Sequence, residues 1–163
     1  MMNFCNRCAG ALSEEVPEGD NRPRHVCQEC EHIQYQNPRV IVGCIPLWEG
    51  KILLCKRNIE PKFGLWTLPA GFLELGETMA EGALRETYEE SMAKVEIVEH
   101  FGMYDITRVG QIYSIYLAKM LSADFSPTPE SSEVGLFDPE DIPWDELAFE
   151  VIKTTLKEFI ERG

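Results

Sequence analysis

The chain has 163 residues, of which 44% are hydrophobic, and carries 15 Lys and Arg against 28 Asp and Glu for a formal net charge of −13. That acidity disfavours a nucleic-acid backbone or an anionic membrane as a partner, and no stretch is apolar enough to span a bilayer or to resemble a signal peptide. A cytoplasmic protein of one full domain plus a small appendage is expected.

The appendage comes first. Cys5-x2-Cys8 and, eighteen residues later, Cys27-x2-Cys30 have the spacing of two knuckles that clasp one tetrahedral Zn²⁺. Residues 1–36 hold few core-forming side chains, so the zinc would be structural and would organise the fold. Disulfides are the alternative and require an oxidising compartment. His25 and His32 are read as surface residues. Arg7, Arg22 and Arg24 stand against Glu14, Glu15, Glu18, Asp20, Glu29 and Glu31, which is no phosphate-binding face.

From Asn37-Pro38 the sequence turns core-forming, so domains are expected at 1–36 and 37–163. Arg39–Trp48 and Lys51–Lys56 read as strands joined by a Glu49-Gly50 turn, and Cys44 and Cys55 within them as buried free thiols. Phe63–Pro69 then feeds a loop bounded by Gly71 and Gly76. Thr78 and Glu81 stand at capping-box spacing and predict the start of a helix. On that helix Glu86, Glu89 and Glu90 fall within an arc of roughly 100°. Ala80, Ala83, Leu84, Thr87 and Tyr88 form the face expected to pack on a sheet.

Carboxylates crowded in this way need a cation among them. Hard divalent ions such as Mg²⁺ or Mn²⁺ are held by a few carboxylates together with substrate phosphates, so a phosphate-bearing substrate is implied; a solvated acidic face is the bland alternative. Gly82 either leaves room for an ion or phosphate, or is a tolerated helix glycine costing about 1 kcal/mol against alanine. Further strands are predicted at Lys94–Phe101, Gln111–Met120 and Val134–Phe137. A closing helix begins near Ala148, with Phe149, Ile152, Leu156, Phe159 and Ile160 at helical spacing. The order predicts a mixed sheet between helices.

Residues 71–90 read G-x5-E-x7-R-E-x2-E-E and follow Leu68-Pro69-Ala70. This resembles the box of the Nudix hydrolases, G-x5-E-x7-R-E-U-x-E-E-x-G-U with U a bulky aliphatic residue. Gly71, Glu77, Arg85, Glu86, Glu89 and Glu90 match it; Thr87 replaces an aliphatic residue and Met92 a glycine. Glycine there takes the left-handed cap conformation, which methionine reaches only with strain. The resemblance implies an α/β/α sandwich with a mixed sheet. It also implies that Glu86, Glu89 and Glu90 hold Mg²⁺ or Mn²⁺, with the Ala70 carbonyl as a further ligand. Arg85 would orient a glutamate of the cluster, or else be a surface partner of Glu81 or Glu89, and Glu77 would tie the loop to the helix. A carboxylate outside the box serves as extra ligand or general base in the family; Glu133 is the first candidate here and Glu130 the second.

A zinc ribbon ahead of such a domain resembles NADH pyrophosphatases and FAD/ADP-ribose pyrophosphatases. The former carry S-Q-P-W-P-F-P-x-S downstream of the box, which this chain lacks. Its Asp105-Ile106, Gly110-Gln111-x-Tyr113 and Ile142-Pro143-Trp144 resemble the second group. That implies hydrolysis of FAD to AMP and FMN, or of ADP-ribose to AMP and ribose 5-phosphate, by a homodimer acting on a small nucleotide. NADH or another dinucleotide is the alternative substrate. A non-catalytic sensor of ADP-ribose or NAD is the rival from another class, although such sensors tend to lose the box carboxylates. Phe63, Trp66, Tyr104 and Tyr113 are candidates for stacking on adenine or flavin, with core packing as the competing role. Trp144 and Phe149 are assigned to packing.

Overall fold

The structure, a computed structural model, describes residues 2–163, and the chain separates into two compact units at Asn37–Pro38. The first holds a small antiparallel sheet of β1 (Leu12–Glu15), β2 (Arg24–Cys27) and β3 (Ile33–Gln34). Its two cysteine knuckles lie outside or at the end of these short strands, since little else in the segment is buried.

The second unit is built on β4 (Arg39–Trp48), β5 (Lys51–Arg57), β6 (Trp66–Thr67), β7 (Ala70–Phe72), β8 (Val95–Ile106), β9 (Gln111–Met120) and β10 (Ser131–Phe137). The main path is β10-β5-β4-β9-β8, with β6 on β5 and β7 on β4. Only β4 and β9 run parallel, so the sheet is mixed. Glu49 and Gly50, both at positive φ, make the tight turn between β4 and β5.

Strand alternation explains the layers. Ile41 and Ile45 of β4, Ile52 and Leu54 of β5, and Tyr113 and Ile115 of β9 pack with Val151, Ile152 and Leu156 of the last helix, α2 (Glu150–Arg162). Val42 and Cys44 of β4 and Ala118 of β9 point the other way, onto Ala83 of α1 (Met79–Ser91). Period-two apolar residues on both faces therefore force a helix onto each side. Among the described residues no helix is long and apolar enough to cross a membrane.

Three expectations change. Strand β8 continues past Phe101 to Ile106, because Gly102 sits at a register shift and the strand pairs on beyond it. Strand β10 starts at Ser131, also beside a bulge. The packed face of α1 is the expected one in part, with Ala83 and Thr87 buried, but it is rotated. Gly82, Ala83, Thr87, Glu90 and Ser91 are buried, Ala80 and Leu84 are half-buried, and Tyr88 is 41% exposed. The helix is turned so that one carboxylate enters the protein. Gly82 explains the close approach: a Cβ there would lie 2.9 Å from Val42 Cγ2 and 2.7 Å from a Glu77 oxygen. It serves helix-to-sheet packing, which neither reading of this glycine anticipated. Thr78 forms the capping box with Glu81, and Met92 takes the left-handed cap at φ 58° and donates to the Tyr88 carbonyl at 2.7 Å. Buried Thr87 satisfies its hydroxyl by donating to the Ala83 carbonyl at 2.7 Å.

Candidate active site

Strand β7 pairs with β4 at Ala70–Gly43, Gly71–Val42 and Phe72–Ile41, directly beneath the acidic face of α1. Gly43 is required by neighbouring backbone, and Gly71 leaves the Glu86 carboxylate its present place. A Cβ on Gly43 would overlap Ala70 and the Pro69 carbonyl, and one on Gly71 would overlap the Glu86 carboxylate. The Ala70 N–H donates to Glu90 Oε2 at 3.2 Å.

Arg85 is the organiser of the surrounding charge. Its Nε and Nη2 donate to the two Glu77 oxygens at 3.0 and 2.7 Å, and Nη1 donates to Glu86 at 2.7 Å and Glu89 at 3.0 Å. Nη2 also reaches the Phe72 carbonyl at 3.1 Å. Glu81 is not among its partners, being held in the capping box. The Arg85 guanidinium, helped by the Glu74 N–H at 2.7 Å, holds the Glu77 carboxyl down at about 2.

No bond from Arg85 reaches Glu90, which is 6% exposed. Burial pushes its carboxyl up to about 8; the Ala70 N–H opposes this and the charge on Glu86 adds to it. Burial likewise raises Glu86, against the pull of Arg85. A buried carboxylate bonded by one neutral N–H, with two acidic neighbours offset only by the charge of Arg57, is costly unless a further cation joins it. Glu86, Glu89 and Glu90 line one cleft and offer oxygen donors, the type that hard divalent ions prefer.

The carboxylates line a cleft of about 880 Å³, within the range of small-ligand sites. Ile41, Ile106, Tyr113 and Val151 give it an apolar floor, and Arg39, Arg57, Lys62 and Arg108 also line it. None of those four cations forms an ion pair among the described residues. Arg39 lies over the Phe72 ring at 4.9 Å and Arg57 over the Phe149 ring at 5.3 Å, with Arg57 Nε donating to the Pro61 carbonyl at 2.8 Å. Arg39 stands opposite Gln111 at the start of β4 and β9, four residues from Gly43 and so roughly 13 Å from the carboxylate level.

In the first unit the Sγ atoms of Cys5, Cys8, Cys27 and Cys30 lie within 4.8 Å of one another, with close pairs at 3.4 and 3.8 Å. Tetrahedral zinc with Zn–S near 2.3 Å sets thiolates roughly 3.8 Å apart, so the cluster fits that ion. The Arg7 and Gly10 N–H groups donate to Cys5 and Cys8 Sγ at 3.4 Å, satisfying sulfurs that would carry negative charge.

Known proteins resemble both units of the chain. The NUDIX domain profile matches residues 37–159. The chain belongs to the Nudix hydrolase family. The family's N-terminal zinc-ribbon profile, "Nudix N-terminal", matches residues 3–36. A crystal structure of a NUDIX hydrolase from Nitrosomonas europaea superposes with a TM-score of 0.95 at 52% identity, covering 99% of this chain and 92% of that one. The chain is 32% identical to an ADP-ribose pyrophosphatase of Methanocaldococcus jannaschii over 71% of its own length and 70% of the relative's. It is also 32% identical to the NAD-capped RNA hydrolase NudC of Photobacterium profundum, over 78% of its length but 46% of that relative's. The chain thus spans about half the length of that NAD-capped RNA hydrolase.

Within this Nudix domain the expected site residues divide sharply. Ala70, Arg85, Glu86, Glu89, Glu90 and Tyr113 all line the cleft, and so does Glu130, whose charge raises the carboxyls of Glu86 and Glu90. Glu133 does not: it pairs with Lys56 Nζ at 2.8 Å. A one-residue bulge is the reason. Ser131 faces Arg57 and Glu133 faces Lys56, whereas unbroken pairing would set Glu133 opposite Cys55, next to Glu90. Phe63, 60% exposed, lies outside the cleft lining. Trp66 is buried edge-on to Phe137 at 4.9 Å, and Tyr104 packs on the core with its hydroxyl on Glu158 at 2.9 Å. Phe149, expected only to pack, lines the cleft as well as touching the core. Reading the sequence missed Arg39, Arg57, Phe72 and Arg108. A cation closing a buried strand, as Arg57 closes β5, was the available signal.

Proposed function

We propose that the protein is a Mg²⁺- or Mn²⁺-dependent pyrophosphatase that cleaves the diphosphate of a nucleoside diphosphate derivative, FAD or ADP-ribose, and releases AMP. The observation that carries this is Glu90, a buried carboxylate with no ion pair among the described residues, lining a nucleotide-sized cleft together with Glu86 and Glu89. Similarity to an ADP-ribose pyrophosphatase across most of both chains supports the substrate class. Retention of every box carboxylate favours an enzyme over a nucleotide sensor.

Glu86, Glu89 and Glu90 would hold the ions, with Glu130 and the Ala70 peptide beside them. Divalent ions supply charge neutralisation of the diphosphate oxygens and acidify an attacking water. The chain's own residues do the rest. Arg85 fixes Glu86 and Glu89 so that they need no reorganisation when substrate arrives. Arg57, in no ion pair among the described residues, would meet the diphosphate, and the apolar lining around Tyr113 would receive a planar ring. Glu130 takes one proton from the attacking water; the water oxygen bonds to phosphorus, and the bridging P–O bond breaks with its electrons leaving on the second phosphate.

A second reading is cleavage next to the 5′ cap of an RNA. The resemblance to a NAD-capped RNA hydrolase favours it, as do Arg39 and Arg108, two further cations lining the cleft that would meet an additional phosphate. The net charge of −13 opposes it. Assays of ADP-ribose, FAD, NADH and a NAD-capped oligonucleotide with Mg²⁺ and with Mn²⁺ decide between the readings. AMP release from ADP-ribose or FAD at the highest kcat/KM is expected, and binding of these nucleotides without turnover would return the sensor. Homodimer formation and a reducing, cytoplasmic setting that keeps the four thiols available to zinc belong to the same reading. Sedimentation would check the first.

A further inference from the structure

Two loops meet at the rim of the cleft through hydrogen bonds that no ligand role explains. The Asn58 N–H donates to the Glu130 carbonyl at 2.8 Å, and Asn58 Nδ2 donates to the Pro129 carbonyl at 3.0 Å. From the other side, Thr128 Oγ1 accepts the N–H groups of Glu130 at 3.3 Å and Ser131 at 3.2 Å. The same hydroxyl lies 3.5 Å from the Glu90 carbonyl and donates to it. The Pro129–Glu130 peptide is thus pinned on one flank by the residue after Arg57 and on the other by the metal-binding helix. Glu130 is itself exposed and its carboxylate has no ion pair among the described residues. Its place in the cleft therefore comes from the backbone that carries it.

We infer that Asn58 is a positioning residue for Glu130, holding the Pro129–Glu130 segment so that the Glu130 carboxylate faces Glu86 and Glu90. This rests on the reading of Glu130 as the proton acceptor. Because Arg57 precedes Asn58 directly, a substrate diphosphate that engages Arg57 would firm the same latch at the moment the base is needed. The chemistry requires a short side chain with an amide donor. Aspartate, of the same shape, loses that donor and sets an oxygen against the Pro129 carbonyl.

The test compares Asn58→Asp, Glu130→Gln and the double variant, with ADP-ribose and Mg²⁺ as probe, alongside amide hydrogen exchange across residues 127–132 of the metal-free proteins. Asn58→Asp is expected to lower kcat about fivefold, the scale of one hydrogen bond, with KM within about twofold. Exchange at Glu130 and Ser131 should accelerate. In the Glu130→Gln background the same substitution should cost nothing more, because its effect passes through that carboxylate. A fivefold loss that multiplies through in the double variant would overturn the proposal, since Asn58 would then act elsewhere. So would wild-type kcat and exchange in Asn58→Asp beside a crippled Glu130→Gln, which leaves the base assignment standing. Wild-type kcat in Glu130→Gln removes the base assignment itself and this inference with it.

Discussion

Glu90 is where charge, burial and function meet in one side chain. Its carboxyl is raised to about 8, chiefly by burial, from an ordinary value of 4.5. The sign of the linkage follows. In metal-free protein this group's contribution to stability is fully present below about 4.5 and is lost as pH rises through about 8. A divalent ion competes with the proton, so its affinity should weaken on acidification by up to about tenfold per pH unit below that value. Thermal melts with chelator and with Mg²⁺ from pH 6 to 8.5 should show a metal-induced shift that grows with pH; an equal shift at both ends would remove Glu90 from the metal site. Glu90→Gln should melt higher than wild type at pH 8 without metal and lose turnover by at least about a hundredfold, separating what the carboxylate costs the fold from what it does. The residue types and spacing of Glu86, Glu89 and Glu90 were visible in the sequence. That one of the three is buried was not, because helical period gives angles between side chains but not how the helix is rotated against the sheet.

At the scale of the helix and strands, α1 shows packing overriding propensity. An alanine at Gly82 would gain about 1 kcal/mol of helix propensity. Its Cβ would also come 2.9 Å from Val42 Cγ2 and 3.0 Å from Leu73 Cδ1, and overpacking of that kind costs about 1–3 kcal/mol. Gly82→Ala should therefore lower the melting temperature in spite of the better helix former; a rise would show that the helix can lift from β4 freely. Thr87 and Met92, the two departures from the family box, are absorbed locally. One bonds its own helix and the other accepts the left-handed cap. Strands β4 and β5 could be read as apolar runs around a Glu49-Gly50 turn and β9 from alternation, whereas β6 and β7 could not, being two and three residues long and defined by pairing with distant segments. The bulge in β10 was equally invisible, and it alone moves Glu133 to Lys56 and leaves the cleft to Glu130.

For the whole molecule, the two units depend on different sources of stability. Residues 1–36 have Cys5 and Cys27 as their buried hydrophobics, whereas the second unit buries three clusters around its sheet. Chelation of zinc should make the first unit protease-sensitive while the far-ultraviolet spectrum and melting of the second change little; a single loss of both on chelation would show that they fold together. Across the chain, the sequence alone determined the zinc knuckles, the box helix with its cap and the alternating strands, because these depend on spacings shorter than about twenty residues. Tertiary structure decided which face of α1 is buried, which loop carboxylate lines the cleft, and which aromatic and arginine side chains do so with it. Those depend on register, bulges and the approach of elements distant in sequence, and local periodicity carries no information about them.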